Sequence, residues 1–202
     1  MRAGETPPAF LLEMMLVNNN YVNAKICWYN GRWYRSVTEA KTAMSLDKLG
    51  IKFEYERYAC LSDDYEAQIY TPDFYLPELS VWIEVTGRWD ARHAKKAAAF
   101  VSNMGMSGMA DEFGKPVKFV HVDGRGDVFQ IHDGGKVEQG CYVNVCRKCG
   151  AASFMAMGKS FACPACGVYD GDHFCSFNRN LFDAAGVRTF EAQIKVDSDG
   201  GR

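Results

Sequence analysis

The chain has 202 residues, a formal net charge of −2, 48% hydrophobic residues and 13% aromatic residues. This apolar content is enough to bury a core, which excludes a wholly disordered chain. The slight negative charge excludes a generally basic nucleic-acid-binding surface, although a local basic patch can still bind DNA. Length and composition together predict one ordinary domain with a small appendage, or two small domains.

The first elements predicted along the chain are a hairpin and a helix. Apolar and aromatic residues flank Asn30-Gly31, the pair favoured where both turn residues need positive φ. Ser36 then opens a helix that Gly50 closes. The alternation of apolar and charged residues in IKFEYERYA (51–59) predicts a half-buried strand after it.

The next elements complete a core. Two further strands are predicted at residues 70–77 and 80–87, joined by a short turn. A helix at 90–104, a buried strand at 117–123 and a second hairpin at 127–139 follow. The order hairpin, helix, three strands, helix, strand indicates a mixed α/β core.

The cysteines indicate metal binding more than disulfides. Six of the eight lie between residues 141 and 175, and four of those form two C-x-x-C pairs. The N-terminal segment has no signal-peptide cleavage site, and no apolar run is long enough to cross a bilayer. We therefore expect a soluble protein of a reducing cytoplasm, without a membrane partner.

Two carboxylates, Asp73 and Glu84, lie on predicted neighbouring strands, where a tight connection lets them meet. A few carboxylates that leave waters in place suit one or two Mg²⁺ ions, which activate water and stabilise charge on a phosphate. The backbone carbonyl of Val85 is a candidate further ligand. Glu84 interrupts an apolar strand expected to be covered on both faces, where a carboxylate needs a partner or a metal.

Four segments, RSVTEA, LGIKFEYE, YTPDFYLP and IEVTGRWD, together resemble the PD-(D/E)xK nuclease superfamily. Within it they look closest to phage junction-resolving endonucleases of the endonuclease I type and to related small phage nucleases. The resemblance implies a restriction-endonuclease-like mixed sheet flanked by helices, with Mg²⁺ or Mn²⁺ as cofactor. It also implies the catalytic set: Glu39 as the helix carboxylate, Asp73 and Glu84 as metal ligands, and Thr86 at the position of an expected lysine.

Simpler interpretations of the same acids stay open. Ser36-x-x-Glu39 is also a capping box, in which Glu39 satisfies the helix N-terminus. Asp73 after Pro72 is also a turn former.

Thr86 departs from the pattern because its hydroxyl can orient water but carries no charge. Losing one such electrostatic group often costs about a hundredfold or more in rate. Five cationic side chains are candidates to replace the lysine, although an ordinary solvated charge is the simpler interpretation of each: Lys41, Lys52, Arg88, Lys95 and Lys96.

The two C-x-x-C pairs, Cys146/Cys149 and Cys163/Cys166, are separated by thirteen residues, and a glycine follows each pair. Four thiolates suit tetrahedral zinc in a closed structural site. The segment resembles a zinc ribbon, in which Zn²⁺ replaces a core that so few residues cannot build.

Other residues of this region are weaker candidates. Three are spare potential ligands for a second metal: Cys141, Cys175 and His173. A basic and aromatic set is equally a DNA contact or a solvated rim: Arg147, Lys148, Lys159, Phe154 and Phe161.

The predicted organisation is an N-terminal arm or helix (1–24), a nuclease-like domain (25–140), a zinc ribbon (141–176) and a C-terminal extension and tail (177–202). The resemblance implies a metal-dependent DNA endonuclease of phage or mobile-element DNA processing, with branched or nicked DNA as candidate substrates. It would act in the cytoplasm of the bacterial host, alone, as a homodimer or in a larger assembly. The alternative is a catalytically impaired nuclease fold that binds DNA or protein, or a subunit active only within a larger nuclease.

Overall fold

The structure is a computed structural model, and it describes residues 26–57, 71–103, 118–131, 137–138, 141–156, 162–169, 174–187 and 195–196. The predicted N-terminal arm and the final tail lie outside these residues, as does the turn of the second hairpin. Among the helices in these ranges, none has the length and apolar character needed to span a membrane.

The first hairpin consists of β1 (Cys27–Tyr29) and β2 (Arg32–Tyr34). Asn30 and Gly31 have φ angles of 47° and 83°, as their turn requires. A late strand, β12 (Lys195–Val196), pairs antiparallel with β1. The predicted hairpin is confirmed, and the described chain returns to it near its end.

Helix α1 spans Val37–Lys48 and is capped as predicted. The Ser36 side chain accepts the backbone N–H of Glu39 at 3.1 Å. Gly50, with a φ of 69°, follows the C-cap Leu49 and ends the helix.

A six-stranded mixed sheet follows, in the order β3-β4-β5-β6-β7-β8. All neighbouring strands are antiparallel except β5 and β6, which are parallel, so α2 (Ala91–Asn103) serves as their crossover. The mixed sheet and the order of its elements are as predicted. The strands are β3 (Glu54–Tyr55), β4 (Phe74–Leu76), β5 (Val81–Val85), β6 (Phe119–Val122), β7 (Val128–Ile131) and β8 (Val137–Glu138).

Strand β3 is shorter than the predicted strand at 51–59. Glu56 has a φ of 51°, which is outside the extended region, so the strand ends at Tyr55. Residues 58 and 59 lie outside the described part of the chain.

The cysteine-rich region forms a three-stranded antiparallel sheet with β9 (Cys141–Cys146) between β10 (Ala152–Ala156) and β11 (Phe174–Asn178). A short helix, α3 (Leu181–Ala184), follows. Val143 and Phe154 belong to the same buried cluster as Met44 of α1 and Ile83 of β5. The hydrophobic core therefore extends across the boundary predicted at residue 141.

Candidate active site and zinc centre

Asp73 lies at the end of β4, held by the backbone of β5. The antiparallel register pairs Phe74 with Ile83, which brings Asp73 beside Glu84 at the same end of the two strands. Asp73 is 3% exposed, and its Oδ2 accepts the N–H of Val85 at 2.7 Å. Because β4 begins its pairing only at Phe74, the Asp73 side chain takes the place of a strand partner for Val85.

Glu39 lies in the first turn of α1 and is also buried. Its Oε1 accepts the Ser36 hydroxyl at 3.0 Å, while Oε2 accepts the Tyr55 hydroxyl and, at 3.2 Å, the backbone N–H of Arg35. The same carboxylate thus orders the helix start and faces the acidic site, so the capping interpretation and the site interpretation describe one residue.

Arg35 is the cation of this site and was missed by sequence reasoning. Its guanidinium contacts Asp73 through Nη2 and Glu56 through Nε at 2.9 Å. Nε also lies 3.8 Å from Oε2 of Glu39. Its place in the sequence could have indicated this role. Arg35 precedes the helix cap and stands four residues before Glu39, so both residues lie at the same helix terminus.

Negative charge dominates this cluster. Burial raises the pKa of Asp73 well above its usual value, and the neighbouring Glu84 and Glu39 carboxylates raise it further, while Arg35 opposes them. Burial also raises the pKa of Glu39 against the effect of Arg35. The site therefore favours an additional cation or protons.

The donor set fits a hard divalent ion that keeps water ligands. Asp73 and Glu84 offer carboxylate oxygens, the ligands that Mg²⁺ prefers. Within the described residues, the three acids do not form a set whose donor atoms all lie within 4.8 Å of one another, whereas the four cysteines do. Two carboxylates, with the Val85 carbonyl as a further oxygen, would be enough for an open site.

Thr86, where the resemblance led us to expect a lysine, makes structural contacts. Its hydroxyl donates to the carbonyl of Arg88 at 3.1 Å, and its own carbonyl accepts Nε2 of His121 at 3.0 Å. His121 stands in register with Glu84 on the neighbouring strand. Thr86 thus fixes the turn that follows β5 and adds no positive charge.

The ion pairs described above for Asp73 and Glu39 come from Arg35 and not from the predicted replacement cations. Lys52 binds Glu78 at 2.6 Å, at the far end of β4 from Asp73. Arg88 and Lys95 are exposed, and Lys41 and Lys96 are partly buried. Among the described cationic side chains, Arg35 is the one in contact with Asp73.

The four predicted zinc ligands converge. Sγ of Cys146 lies 3.8 Å from Sγ of Cys166, and Sγ of Cys149 lies 3.6 Å from Sγ of Cys163. A tetrahedral ion with bonds of about 2.3 Å to sulfur requires sulfur–sulfur separations of about 3.8 Å. The cluster therefore has the dimensions of a zinc site.

Each cysteine pair forms a tight turn closed by glycine. Gly150 and Gly167 have φ angles of 74° and 70°. The N–H of each glycine donates to the backbone carbonyl of the first cysteine of its pair, at 2.8 Å. Desolvation opposes ionisation of Cys146, but the N–H groups of Cys149 and Lys148 lower its pKa to about 7. The N–H of Ala151 lowers the pKa of Cys149, but desolvation and the neighbouring thiols raise it to about 12, so thiolates form here when a metal displaces the protons. The glycine turns favour such binding because they bring the four sulfur atoms together.

Other predictions for this region have different outcomes. Phe154 is fully buried, so its prediction as a DNA contact is wrong: strand alternation turns it into the core. Arg147 and Lys148 are exposed. Cys141 is a fully buried core thiol whose pKa burial raises to about 12. The described residues do not include Lys159, Phe161, His173 or the side chain of Cys175.

Residues 19–103 match the family described as Phage endonuclease I. Endodeoxyribonuclease 1 of Enterobacteria phage T3 is 41% identical over 70 residues, which cover 33% of this chain and 43% of that protein. Endonuclease I of Escherichia phage T7 is 37% identical over 67 residues, or 31% and 42% of the two chains. The chain thus spans less than half the length of these curated relatives, and no solved structure matches it.

We expect about one zinc ion per chain. Cys146→Ser should lower the zinc content well below that value, because a closed site needs all four thiolates. Elemental analysis of untagged protein measures the stoichiometry. Cys27→Ser, which changes a buried cysteine outside the cluster, should retain the zinc. A parent protein without zinc would contradict the assignment.

The raised pKa of Asp73 predicts a pH-dependent stability. The folded state binds this proton more tightly than the unfolded chain does, so the free energy of unfolding falls as pH rises and the carboxyl group loses its proton. The decrease is complete once the pH is above the folded-state pKa. Asp73→Asn removes this loss. Its stability relative to the parent should grow as pH rises from about 4, the usual pKa of an aspartate, until the folded-state pKa is passed, by about 1.4 kcal/mol per unit of raised pKa.

Chemical denaturation without added Mg²⁺ measures this difference. Glu78→Gln, at an exposed acid, serves as the control for the loss of one carboxylate. If the difference for Asp73→Asn stayed constant or shrank as pH rose, the pKa of Asp73 would not be raised in the folded state.

Proposed function

We propose that this chain is a metal-dependent DNA endonuclease that hydrolyses phosphodiester bonds. One observation carries the proposal: the strand register sets Glu84 beside Asp73 at one end of the mixed sheet, where Arg35 contacts both Asp73 and Glu39. These acids lie within the residues that match the phage endonuclease family. A fold alone gains nothing from buried like charges, which cost stability unless a cation offsets them.

In this proposal Asp73 and Glu84 hold Mg²⁺ or Mn²⁺, with the Val85 carbonyl as a further oxygen ligand. The bound ion supplies an activated water and offsets charge on the phosphate. The N–H of Val85 orients Asp73 through Oδ2, which leaves Oδ1 as the oxygen for which Arg35 and the ion compete.

Arg35 supplies the positive charge that Thr86 lacks. An arginine stays protonated at any working pH and can bind two phosphate oxygens at once. Its contacts with Glu56 and Glu39 keep it at the site when Asp73 turns to the metal. This is a rearranged nuclease site, in which the cation comes from the start of α1 and not from β5.

The wider setting follows from the same similarities. The order of α1, three strands, α2 and β6 supports a restriction-endonuclease-like fold, with a zinc ribbon at about 141–176. The names and organisms of the relatives support a role in phage DNA processing in the cytoplasm of the bacterial host. Branched DNA is the substrate class we propose, with a homodimer or larger assembly as the active form.

A second candidate function is that of a binding module descended from a nuclease, or a subunit active only in an assembly. The observation in its favour is Thr86, whose hydroxyl is committed to the turn at Arg88. In this case the acids are a remnant whose charge Arg35 offsets.

Cleavage assays with alanine variants test the site. Asp73→Ala and Glu84→Ala should each lower cleavage of branched, single-stranded or duplex DNA at least a hundredfold with Mg²⁺ or Mn²⁺, because each removes a metal ligand. Glu78→Ala, an exposed acid at the other end of β4, should cleave like the parent. Parent-like cleavage by Asp73→Ala would show that the site is elsewhere.

The role of Arg35 is tested by rescue. Arg35→Gln should lower cleavage about a hundredfold, the usual effect of losing one electrostatic group. Thr86→Lys should change the parent little but restore much of the activity of Arg35→Gln. Lys52→Gln is the matched control, since its partner is the distant Glu78.

Two outcomes contradict this assignment. An inactive parent that Thr86→Lys activates would identify the binding module. Parent-like cleavage by Arg35→Gln would remove Arg35 from the mechanism.

A further inference from the structure

The sheet of β9, β10 and β11 has one face in the hydrophobic core. Its other face, the outer face, is partly covered, since Asn144, Ser153 and Met155 are buried there, and it is exposed at the edge strand β11. Val143 of β9 is fully buried in the core, so strand alternation places Tyr142 on the opposite face. Phe177 of β11 stands opposite Asn144, which shares this outer face with Tyr142. Phe177 is 60% exposed, which is unusual for a phenylalanine in a strand.

Three side chains of this face form a cluster, which we call the outer patch: Tyr142, Phe177 and Arg179. The rings of Tyr142 and Phe177 lie 6.4 Å apart in an edge-to-face arrangement. The guanidinium of Arg179 lies 5.3 Å from the Tyr142 ring centre and donates Nε and Nη2 to its hydroxyl, at 3.2 and 3.0 Å. Arg179 is therefore held in place beside an exposed aromatic ring.

The outer patch carries the positive charge of Arg179. Arg179 is exposed, and β9 leads directly from Tyr142 to the first zinc knuckle, where Arg147 and Lys148 are exposed. Phosphate groups bind such side chains, and the resulting affinity depends strongly on salt. A partner that suits the patch offers flat apolar faces together with negative charge.

We propose that the outer patch binds an unpaired DNA strand, with a base stacked on Phe177 and a phosphate at Arg179. Unpaired bases expose the faces that stack on aromatic side chains, whereas bases within a duplex hide them. The inference rests on the proposed function in taking DNA as the ligand. It extends that function because the patch belongs to the zinc-binding sheet, outside the residues that carry the acids, and would direct the nuclease to DNA with unpaired segments.

The test measures binding of zinc-loaded full-length protein to fluorescent oligothymidine of about 12 nucleotides, a length within the usual site sizes. An abasic strand of equal length and a blunt duplex are the comparison probes. Ca²⁺ replaces Mg²⁺ to prevent cleavage, and no chelator is added, so that the zinc stays bound.

Phe177→Ser should weaken oligothymidine binding roughly tenfold, the usual effect of losing one base–aromatic stack, and leave the abasic strand almost unchanged. Phe177→Trp should restore binding, since it returns a stacking surface. Arg179→Gln should weaken both single strands, because both carry phosphate. Lys48→Gln, at an exposed lysine in the last turn of α1, controls for the loss of one positive charge.

Phe177→Leu keeps the apolar volume without the ring, so it decides the case if Phe177→Ser fails to retain zinc. Equal losses on oligothymidine and the abasic strand, or parent-like binding by both Phe177→Ser and Phe177→Leu, would overturn the proposal; the latter would leave the patch to a protein partner. If the parent binds oligothymidine through Phe177 but cleaves no DNA, the inference about the outer patch stands and the proposed nuclease function is wrong. A parent that cleaves DNA while the Phe177 variants bind normally would do the reverse.

Discussion

Burial of two carboxylates, Glu39 and Asp73, beside one guanidinium is the constraint on which this structure depends. A carboxylate removed from water costs free energy unless it is paired, and Asp73 finds its partners in Arg35 and the N–H of Val85. The N-terminus of α1 brings Arg35 and Glu39, and β3 brings Tyr55. The cluster therefore links the start of α1, the strand β3 and the ends of β4 and β5, and it carries more negative than positive charge.

The cysteine-rich region shares its hydrophobic core with the helix and sheet that carry the acidic site. Phe182 of α3 packs against the turn before β7, where a Cβ on Gly126 would lie 2.4 Å from its ring. Only glycine fits that contact, and Gly126 also has a φ of 92°, which glycine tolerates best. The cysteines pack in a small cluster of their own with Met155, where a bound zinc would order the two knuckles.

Local signals made much of the fold predictable from sequence. Asn30-Gly31 predicted the first hairpin, Ser36 the start of α1, and the spacing of the cysteines the cluster of four thiols. Contacts between distant residues were not predictable in this way. Arg35 and Asp73 are 38 positions apart, so nothing in the spacing joins them. The burial of Phe154 likewise depends on which face of its sheet packs on the core, and tertiary contacts decide that face.

The central claim is that a divalent ion binds at Asp73 and Glu84 and displaces Arg35 from Asp73. Anomalous scattering from crystals of the full chain soaked in Mn²⁺ measures this directly. The account predicts a manganese peak between the two carboxylates, with the guanidinium of Arg35 turned toward Glu56. Crystals that show no peak there at saturating Mn²⁺, with Arg35 still on Asp73, would contradict it.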